Sequence, residues 1–270
     1  MDDVQNQRDE RGITIQQTGV NNVCLPFLIL GQQVQAKVRF TVSLNKDLRG
    51  THMSRLMEIL TDWTIKPLSM SGVNDILTEA LDKLNTNAAK LHIDFKYFVE
   101  REAPMSKRKS LLDFNCFFEG EAANEQRIFT LGVEVPLTTL CPCSKEISDF
   151  GAHNQRSVCK VQLRFNDSND VIGIDDLAKL IESQASSPMY SVLKREDEKF
   201  VTEAAYQNPK FVEDILRDVV LAIRSIEGIK WFSVECENFE SIHNHNAFAS
   251  HEENINSSID NHGKKDYCRK

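Results

Sequence analysis

Residues 140–157 gather the side chains with the widest choice of chemistry in this sequence. The segment reads LCPCSKEISDFGAHNQRS, so it holds Cys141 and Cys143, and His153 follows Cys141 by twelve positions. Neither helical nor strand periodicity runs through it, which predicts an irregular loop of the kind that often carries function. A thiol and an imidazole on one loop can share a metal ion, or act as nucleophile and base. Spacing alone leaves both interpretations open, beside the plain one of small residues in a turn around a proline.

A metal at this loop would need further ligands. A structural zinc site takes four protein ligands, and His153 is the only additional candidate near the two cysteines. A catalytic site with an open position takes three, and a cysteine, a histidine and a carboxylate would suit Zn²⁺ or another divalent ion. Carboxylates are dense in LKREDEKFVTE at residues 193–203, although such a run is usually a solvated helix face.

Three other polar positions allow a functional and a structural interpretation. Glu213 falls at the edge of an apolar helical stripe, where it could point into a cleft or pair with a cation one turn later. His243 and His245 lie in SIHNHN, and in an extended segment they would point to opposite faces, so that at most one faces a site. His52 and Arg55 begin a predicted helix, whose first turn could seat an anion or simply be a capped end.

Composition limits the class of protein. The 270 residues are 41% hydrophobic and 27% charged, as in a soluble globular protein of one large domain or two ordinary ones. A net charge of -8 argues against a nucleic-acid binder, yet it is compatible with a small anionic ligand in a local basic pocket. The seven cysteines, without a secretory signal or a membrane-length apolar run, predict a cytoplasmic protein without disulfides and without a membrane partner.

One pattern occurs twice along the chain. Between a mobile polar arm at residues 1–20 and a polar tail at residues 252–270, strands, two helices and more strands occupy residues 21–136 and again residues 137–251. Alternation at period two predicts strands at residues 34–42, 91–97, 112–118, 129–135, 159–165, 229–236 and 246–249. The predicted helix starts are Thr51 or His52, Ser71, Asp175 or Asp176, and Pro209. This order favours an α+β fold with antiparallel sheets and paired helices on one face.

Several motifs together resemble a known family. LCPCSKEIS, GAHNQRS, GTHMSR, LKREDEKFVTE, NPKFVEDILRD and ESIHNH are similar to motifs of the type IB GTP cyclohydrolase I family, also called FolE2, and they span residues 50–246. The resemblance implies the tunnelling fold (T-fold), here as two tandem modules in each chain. It also implies a homotetramer in which chains associate side by side into barrels.

The resemblance implies a reaction and a metal. GTP and water would give 7,8-dihydroneopterin triphosphate and formate, as the first step of tetrahydrofolate biosynthesis and of queuosine-type pathways. A divalent ion, zinc or manganese with iron or magnesium as alternatives, would activate the water that attacks C8 of the purine. Two alternatives are another pterin- or purine-directed T-fold enzyme in which Cys141 is a nucleophile without metal, and a non-catalytic metal- or nucleotide-binding oligomer.

The resemblance also implies roles for individual residues. Cys141 is similar to the family's essential cysteine and metal ligand, His153 to the second ligand and Glu198 to the third, with Glu196 and Asp197 as alternatives to Glu198. Glu213 would accept hydrogen bonds from guanine N1–H and the 2-amino group. The remaining assignments are His243 as the acid/base with His245 as its substitute, Lys145, Arg156, His52 and Arg55 as triphosphate or subunit contacts, and Cys143 as a supporting residue.

Overall fold

One ten-stranded sheet runs through the computed structural model, which describes residues 4–165 and 172–255. The strands are β1 Ile15–Ile29, β2 Gln32–Leu44, β3 Pro67–Leu68, β4 Ala88–Glu102, β5 Lys109–Ala123, β6 Gln126–Leu140, β7 Asn154–Phe165, β8 Ser187–Pro188, β9 Ile229–Asn238 and β10 Ala247–Asn254. Their order is β10-β9-β7-β6-β5-β4-β2-β1-β3, with β8 paired to β6, and every pairing except that of β1 with β3 is antiparallel.

The helices follow the predicted pattern, with two additions. They are α1 Met53–Trp63, α2 Met70–Leu84, α3 Pro142–Ile147, α4 Ile174–Glu182, α5 Arg195–Gln207 and α6 Val212–Arg224, and Val4–Asn6 form a 3-10 turn. The N-cap of α1 is His52, as predicted. Ser69 rather than Ser71 caps α2, because its hydroxyl accepts a hydrogen bond from the Gly72 N–H at 3.4 Å. Among the described residues, no helix is long and apolar enough to cross a membrane.

The helices pack on one face of the sheet. On β2 the buried residues alternate, with Val34, Ala36, Val38 and Phe40 in the core and the residues between them exposed. On β5, α2 lies so close that a Cβ at Gly120 would come within 2.4 Å of the Val73 Cγ1 atom. The other face of the sheet is mostly polar and charged, although it also carries exposed apolar side chains such as Phe98 and Leu111. The predicted α+β fold with paired helices on one face is therefore confirmed.

The two halves of the sheet have the same element order. Strands β1 and β2, helices α1 and α2, and strands β4 and β5 are repeated as β6, β7, α4, α6, β9 and β10, with α3 and α5 as additions to the second half. The repeat divides at the turn of Asn124 and Glu125, where Asn124 has a φ of 53°. The predicted boundary between residues 136 and 137 falls inside β6, whereas the repeated element order groups the whole of β6 with the second half. The alternation of a strand does not reveal its partners.

Strands occupy part of both end segments, the arm predicted for residues 1–20 and the tail predicted for residues 252–270. β1 begins at Ile15, which pairs with Leu44, so the arm predicted for residues 1–20 is wrong for residues 15–20. This part of β1 lies near the edge of the sheet and is largely solvent-exposed, which explains its polar sequence. At the other terminus, β10 continues to Asn254, inside the predicted polar tail. The tail residues 256–270 lie outside the described part of the chain.

The hairpin of β4 and β5 is fastened to the second half of the chain. Arg101 Nε lies 3.0 Å from Glu182 Oε2 on α4, and both side chains are buried. Asp197 on α5 is fully buried, and its carboxylate accepts hydrogen bonds from Met105 N at 2.8 Å and from Ser106 Oγ at 2.6 Å. Burial acts to raise the pKa of Asp197, but these hydrogen bonds hold it below the usual range. The two modules thus share buried ionic and hydrogen-bonded contacts.

Candidate active site

Cys141 and His153 meet where β6 ends and β7 begins. The loop predicted to be irregular contains the short helix α3, and Cys141 is its N-cap, with Sγ accepting a hydrogen bond from Ser144 N at 3.4 Å. Pro142 occupies the first turn, where its missing N–H costs nothing. The Cys141 N–H donates to the His153 carbonyl at 3.1 Å, so the two backbones pair directly. Helix α3 corrects the prediction of an irregular loop. The backbone pairing makes Cys141 and His153 neighbours, and their joint role stays a prediction.

The His153 ring is held from one side. Its Nδ1 atom lies 3.0 Å from Gln155 Oε1 and 3.9 Å from Glu240 Oε2, and its side chain is 15% exposed. An amide oxygen only accepts hydrogen bonds, so this contact is one that the tautomer with its proton on Nδ1 can make. Within the described residues Nε2 makes no hydrogen bond, so this nitrogen can bind a ligand.

These two side chains fit two ligands of a divalent metal ion. A thiol sulfur and an imidazole nitrogen are donors that Zn²⁺ accepts readily. Within residues 4–165 and 172–255, no group of three or more His, Cys, Asp or Glu side chains could hold a metal ion. Cys141 and His153 therefore stay predicted ligands, as does the third one.

The predicted third ligand, Glu198, lies in the first turn of α5 and is exposed. Tyr206, at the other end of α5, contacts Lys145 on α3, so Glu198 is about 12 Å further along the helix axis at a rise of about 1.5 Å per residue. The carboxylate of Asp197 already accepts hydrogen bonds from Met105 and Ser106, as described above. Of the three acids at residues 196–198, only Glu196 and Glu198 therefore remain as candidate ligands.

Glu213 lies at the start of α6, close to the Cys141 loop. Leu140, next to Cys141, accepts a hydrogen bond from Lys210 N at 3.0 Å, which fixes the start of α6 at this end of the sheet. Glu213 is exposed, and no partner of its carboxylate is recorded among the described residues. The next residue, Asp214, by contrast, accepts from Phe211 N at 3.0 Å and so caps the helix. The carboxylate of Glu213 is thus free for a ligand.

The two histidines of the SIHNHN segment lie together. The segment is a turn rather than a strand, and the rings of His243 and His245 stack with their centroids 5.0 Å apart and their planes at 13°. The expectation that they point to opposite faces is therefore wrong, because it assumed an extended backbone. The turn is linked to the site by Glu240, whose carbonyl accepts a hydrogen bond from His243 N at 3.3 Å and whose side chain lies near His153.

Lys145 and Arg156 are the two predicted phosphate contacts near this site, and their side chains are not equally constrained. Lys145 Nζ donates to the Tyr206 carbonyl at 2.5 Å and lies 4.4 Å from the centroid of the Tyr206 ring, so it fastens α3 to α5. Arg156 is exposed on β7, and its carbonyl accepts from Phe239 N at 2.9 Å. Of the two predicted phosphate contacts here, Arg156 is the one whose side chain is free to turn towards a ligand.

His52 and Arg55 lie at the opposite end of the sheet. They line a cleft of about 850 Å³ near the end of β2, and in the pairing register this end is level with Arg127 on β6. Cys141 follows the other end of β6, roughly 40 Å away at about 3.3 Å per residue. Arg55 Nη1 donates to the Lys83 carbonyl at 2.9 Å. One chain therefore does not bring His52 and Arg55 to the Cys141 site.

Comparison with known proteins identifies the family. Residues 1–249 match the model described as type I GTP cyclohydrolase FolE2. The chain is 47% identical to the GTP cyclohydrolase FolE2 of Geobacter sulfurreducens, over 94% of this chain and 98% of that protein. The corresponding protein of Syntrophotalea carbinolica is also 47% identical, over 92% of this chain and 94% of that one. The chain belongs to the FolE2 family. Membership of the FolE2 family is consistent with a requirement for a divalent metal ion.

Solved structures support the fold of this FolE2 member. Uricase from Arthrobacter globiformis aligns with a TM-score of 0.53 at 8% identity, covering 91% of this chain and 96% of that one. Urate oxidase from Bacillus subtilis 168 aligns with a TM-score of 0.54 at 8% identity, covering 88% and 98%. At such identities the likeness concerns the fold alone, and it confirms the predicted tandem T-fold.

Sequence reasoning missed two residues of this FolE2 site. Gln155 holds the His153 ring, and Glu240 lies beside both of them, with its Oε1 atom 3.5 Å from Gln155 Nε2. Both residues belong to the motifs GAHNQRS and ESIHNH, so the motifs contained the signal. What the sequence could not show is that β7 and β9 pair with Ser157 opposite Asn238, which brings the two motifs together.

Proposed function

We propose that this GTP cyclohydrolase converts GTP and water to 7,8-dihydroneopterin triphosphate and formate at the end of the sheet that carries Cys141. The observation that carries the proposal is the pairing of Cys141 with His153 beside the start of α6, where Glu213 is exposed. A ligand-binding thiol and imidazole next to a free carboxylate suit a purine whose C8 must be attacked by water. The product would enter tetrahydrofolate biosynthesis or a queuosine-type pathway.

Glu213 would recognise guanine. Guanine presents two donors side by side, N1–H and the 2-amino group, and a carboxylate offers two acceptors in matching geometry. Adenine has an acceptor at N1 and no 2-amino group, so the same carboxylate would face an unpaired lone pair. The position of Glu213 in the first turn of α6 also suits a negative charge, because the helix dipole is positive there.

The histidine turn would move protons. His243, with His245 as its stacked neighbour, lies three residues after Glu240, which contacts the site through Gln155. An imidazole changes its protonation near neutral pH, so it can donate a proton to the purine nitrogen as the ring opens. A divalent ion held by Cys141 and His153, zinc or manganese with iron or magnesium as alternatives, would supply an activated water for C8. Glu198 remains the proposed third ligand.

The activity is tested directly by incubating the purified chain with GTP. The protein is stripped of metal, each of zinc, manganese, iron and magnesium is added back separately, and the products are oxidised and assayed for pterin fluorescence and for formate. Pterin and formate in equal amounts with at least one metal support the proposal. Pterin formation of equal rate in the stripped protein would instead favour a Cys141 nucleophile without metal, and the absence of pterin under every condition would refute the reaction.

We also propose that the protein is a homotetramer whose sites are shared between chains. Among the described residues, β10 pairs only with β9. β1 pairs with β3 at Leu28 and Ile29 and elsewhere only with β2. Both edges of the sheet therefore offer free backbone groups. The cleft near His52 contains the buried Thr51 hydroxyl, which has no hydrogen-bond partner among the described residues. Edge pairing between copies would bring this cleft of one chain to the Cys141 site of another, with His52 and Arg55 against the triphosphate.

A shared site predicts complementation between two inactive variants. E213A removes the proposed guanine contact and R55A the proposed triphosphate contact, and each alone is expected to be nearly inactive. When the two are co-expressed with different tags and the mixed tetramers are isolated, some sites combine the two intact residues, and about a quarter of the activity should return. If each site used residues of one chain, mixed tetramers would be as inactive as the parents.

We place the protein in the cytoplasm, where GTP is abundant. The basis is the cysteine content without a secretory signal, which suits a reducing compartment. Neither nucleic acid nor a membrane is proposed as a partner.

A further inference from the structure

A row of buried polar side chains extends from His153 into the sheet. Gln155 Nε2 donates to Thr139 Oγ1 at 3.0 Å, Thr139 Oγ1 lies 3.0 Å from Ser157 Oγ, and Ser157 Oγ donates to Asn238 Oδ1 at 2.6 Å. The exposed fractions of the four side chains are 7% for Gln155, 0% for Thr139, 2% for Ser157 and 2% for Asn238. Thr139, Ser157 and Asn238 have no part in the reaction proposed above, and Gln155 has been described only as a contact of His153 and Glu240.

The protons in this row can be counted. Ser157 has one hydroxyl proton, which it gives to Asn238, so the Thr139 hydroxyl must donate to Ser157. Thr139 then accepts from the Gln155 amide, whose nitrogen faces it, and Gln155 presents its oxygen to His153. With Gln155 reversed, its oxygen would face Thr139 and would need the Thr139 hydroxyl proton. The Thr139 and Ser157 oxygens would then face each other without a proton between them. The reversal would also turn the amide oxygen towards Glu240 Oε1, which lies 3.5 Å from Gln155 Nε2.

We infer that Gln155 is a positioning residue that holds His153 in the tautomer protonated at Nδ1, and that the row ending at Asn238 fixes the orientation of Gln155. The inference rests on the proposed role of His153 as a ligand, but the tautomer itself does not depend on that role. The Nδ1-protonated form keeps the lone pair on Nε2, which has no recorded contact in the described residues. A buried neutral amide also fixes the ring without adding a negative charge beside the site.

The tautomer is read by NMR on the full-length chain. Protein labelled with ¹⁵N-histidine and freed of metal gives long-range ¹H–¹⁵N spectra in which protonated and unprotonated ring nitrogens are distinguished, and the H153N spectrum identifies the His153 signals. We expect a protonated Nδ1 and an unprotonated Nε2 in the unmodified chain. A protonated Nε2 there would overturn the inference, whether or not the protein converts GTP, so this failure is distinct from failure of the proposed function.

Variants separate positioning from general folding. Q155L removes the acceptor at 3.0 Å and leaves Nδ1 only the more distant Glu240 carboxylate at 3.9 Å. It is expected to shift His153 towards the Nε2-protonated tautomer and to weaken Co²⁺ binding by about 10- to 100-fold, as followed by the visible spectrum of the bound ion. A folded Q155L protein with unchanged tautomer and unchanged Co²⁺ affinity would contradict the inference.

Thr139 provides a test that leaves Gln155 in place. T139V keeps the shape of the side chain but interrupts the row, so we expect a mixture of His153 tautomers and Co²⁺ binding weakened several-fold. T138V is the matched control, because Thr138 is the neighbouring residue on β6 and its side chain lies on the other face of the strand. Equal tautomer populations in T139V and T138V would show that the row does not orient Gln155.

Discussion

Replacing Glu213 with alanine is expected to lower kcat/KM for GTP by about a thousandfold, while the bound metal stays unchanged. Each hydrogen bond to a charged group contributes roughly 1.5–3 kcal/mol, and the guanine edge makes two of them to this carboxylate. Because Glu213 is at the start of α6 and not in the Cys141 loop, its loss removes no proposed metal ligand. The measurements are steady-state kinetics, calorimetric binding of a slowly reacting GTP analogue, and metal content by elemental analysis.

Inosine triphosphate sharpens this prediction. It lacks the 2-amino group, so the unmodified enzyme should prefer GTP over it by one hydrogen bond, about 10- to 100-fold in kcat/KM. In E213A this preference should largely disappear, since the acceptor is gone. E203Q is the matched control, because Glu203 is an exposed acid of α5 paired with Lys199. GTP affinity of E213A equal to that of E203Q would refute the guanine role.

The second large effect is expected for Cys141→Ala. Loss of a ligand should weaken metal binding by more than about 100-fold, since even residues that only support a ligand contribute 10- to 100-fold. Pterin formation should then fall below detection, because no activated water remains. H153A should behave in the same way. Metal content after dialysis and the rate with saturating metal are measured together for each variant.

C24A is the control for these variants, since Cys24 is an exposed thiol on β1, far from the site in the sheet order. It should keep both metal and activity. A C141A protein that retains a full complement of metal but is inactive would identify Cys141 as a nucleophile instead of a ligand. A C141A protein that is fully active would remove Cys141 from the site altogether.

Local patterns in the sequence predicted most of the strands and helices, but not which of them lie side by side. The alternation in β2, β4 and β9 and the stripes of α1 and α6 are strong because one face of each is buried against the core. The whole of β1 was missed, and its first residues in particular show little alternation because both faces are largely exposed there. The short helix α3 was missed as well, because a cysteine N-cap is an uncommon start signal.

The site could be predicted to the extent that its residues share a segment. Cys141 and His153 are joined by a short loop, so their proximity followed from spacing. The contact of Gln155 with Glu240 depends on the pairing of β7 with β9, whose residues are far apart in sequence. The stacking of His243 on His245 depends on a turn that could not be predicted from the polar sequence of this segment. Contacts of this kind arise from tertiary structure, which local periodicity does not encode.

The buried contacts between the β4–β5 hairpin and the second half bear on how the chain unfolds. Opening at the junction would break the hydrogen bonds to Asp197 and separate Arg101 from Glu182, and a charge that loses its partner while still shielded from water is strongly unfavourable. Partial opening at the junction is therefore disfavoured, and hydrogen exchange should show the two repeats as one cooperative unit. A gene cut at the turn of Asn124 and Glu125 would yield fragments that fold only together, despite the near symmetry of their architecture.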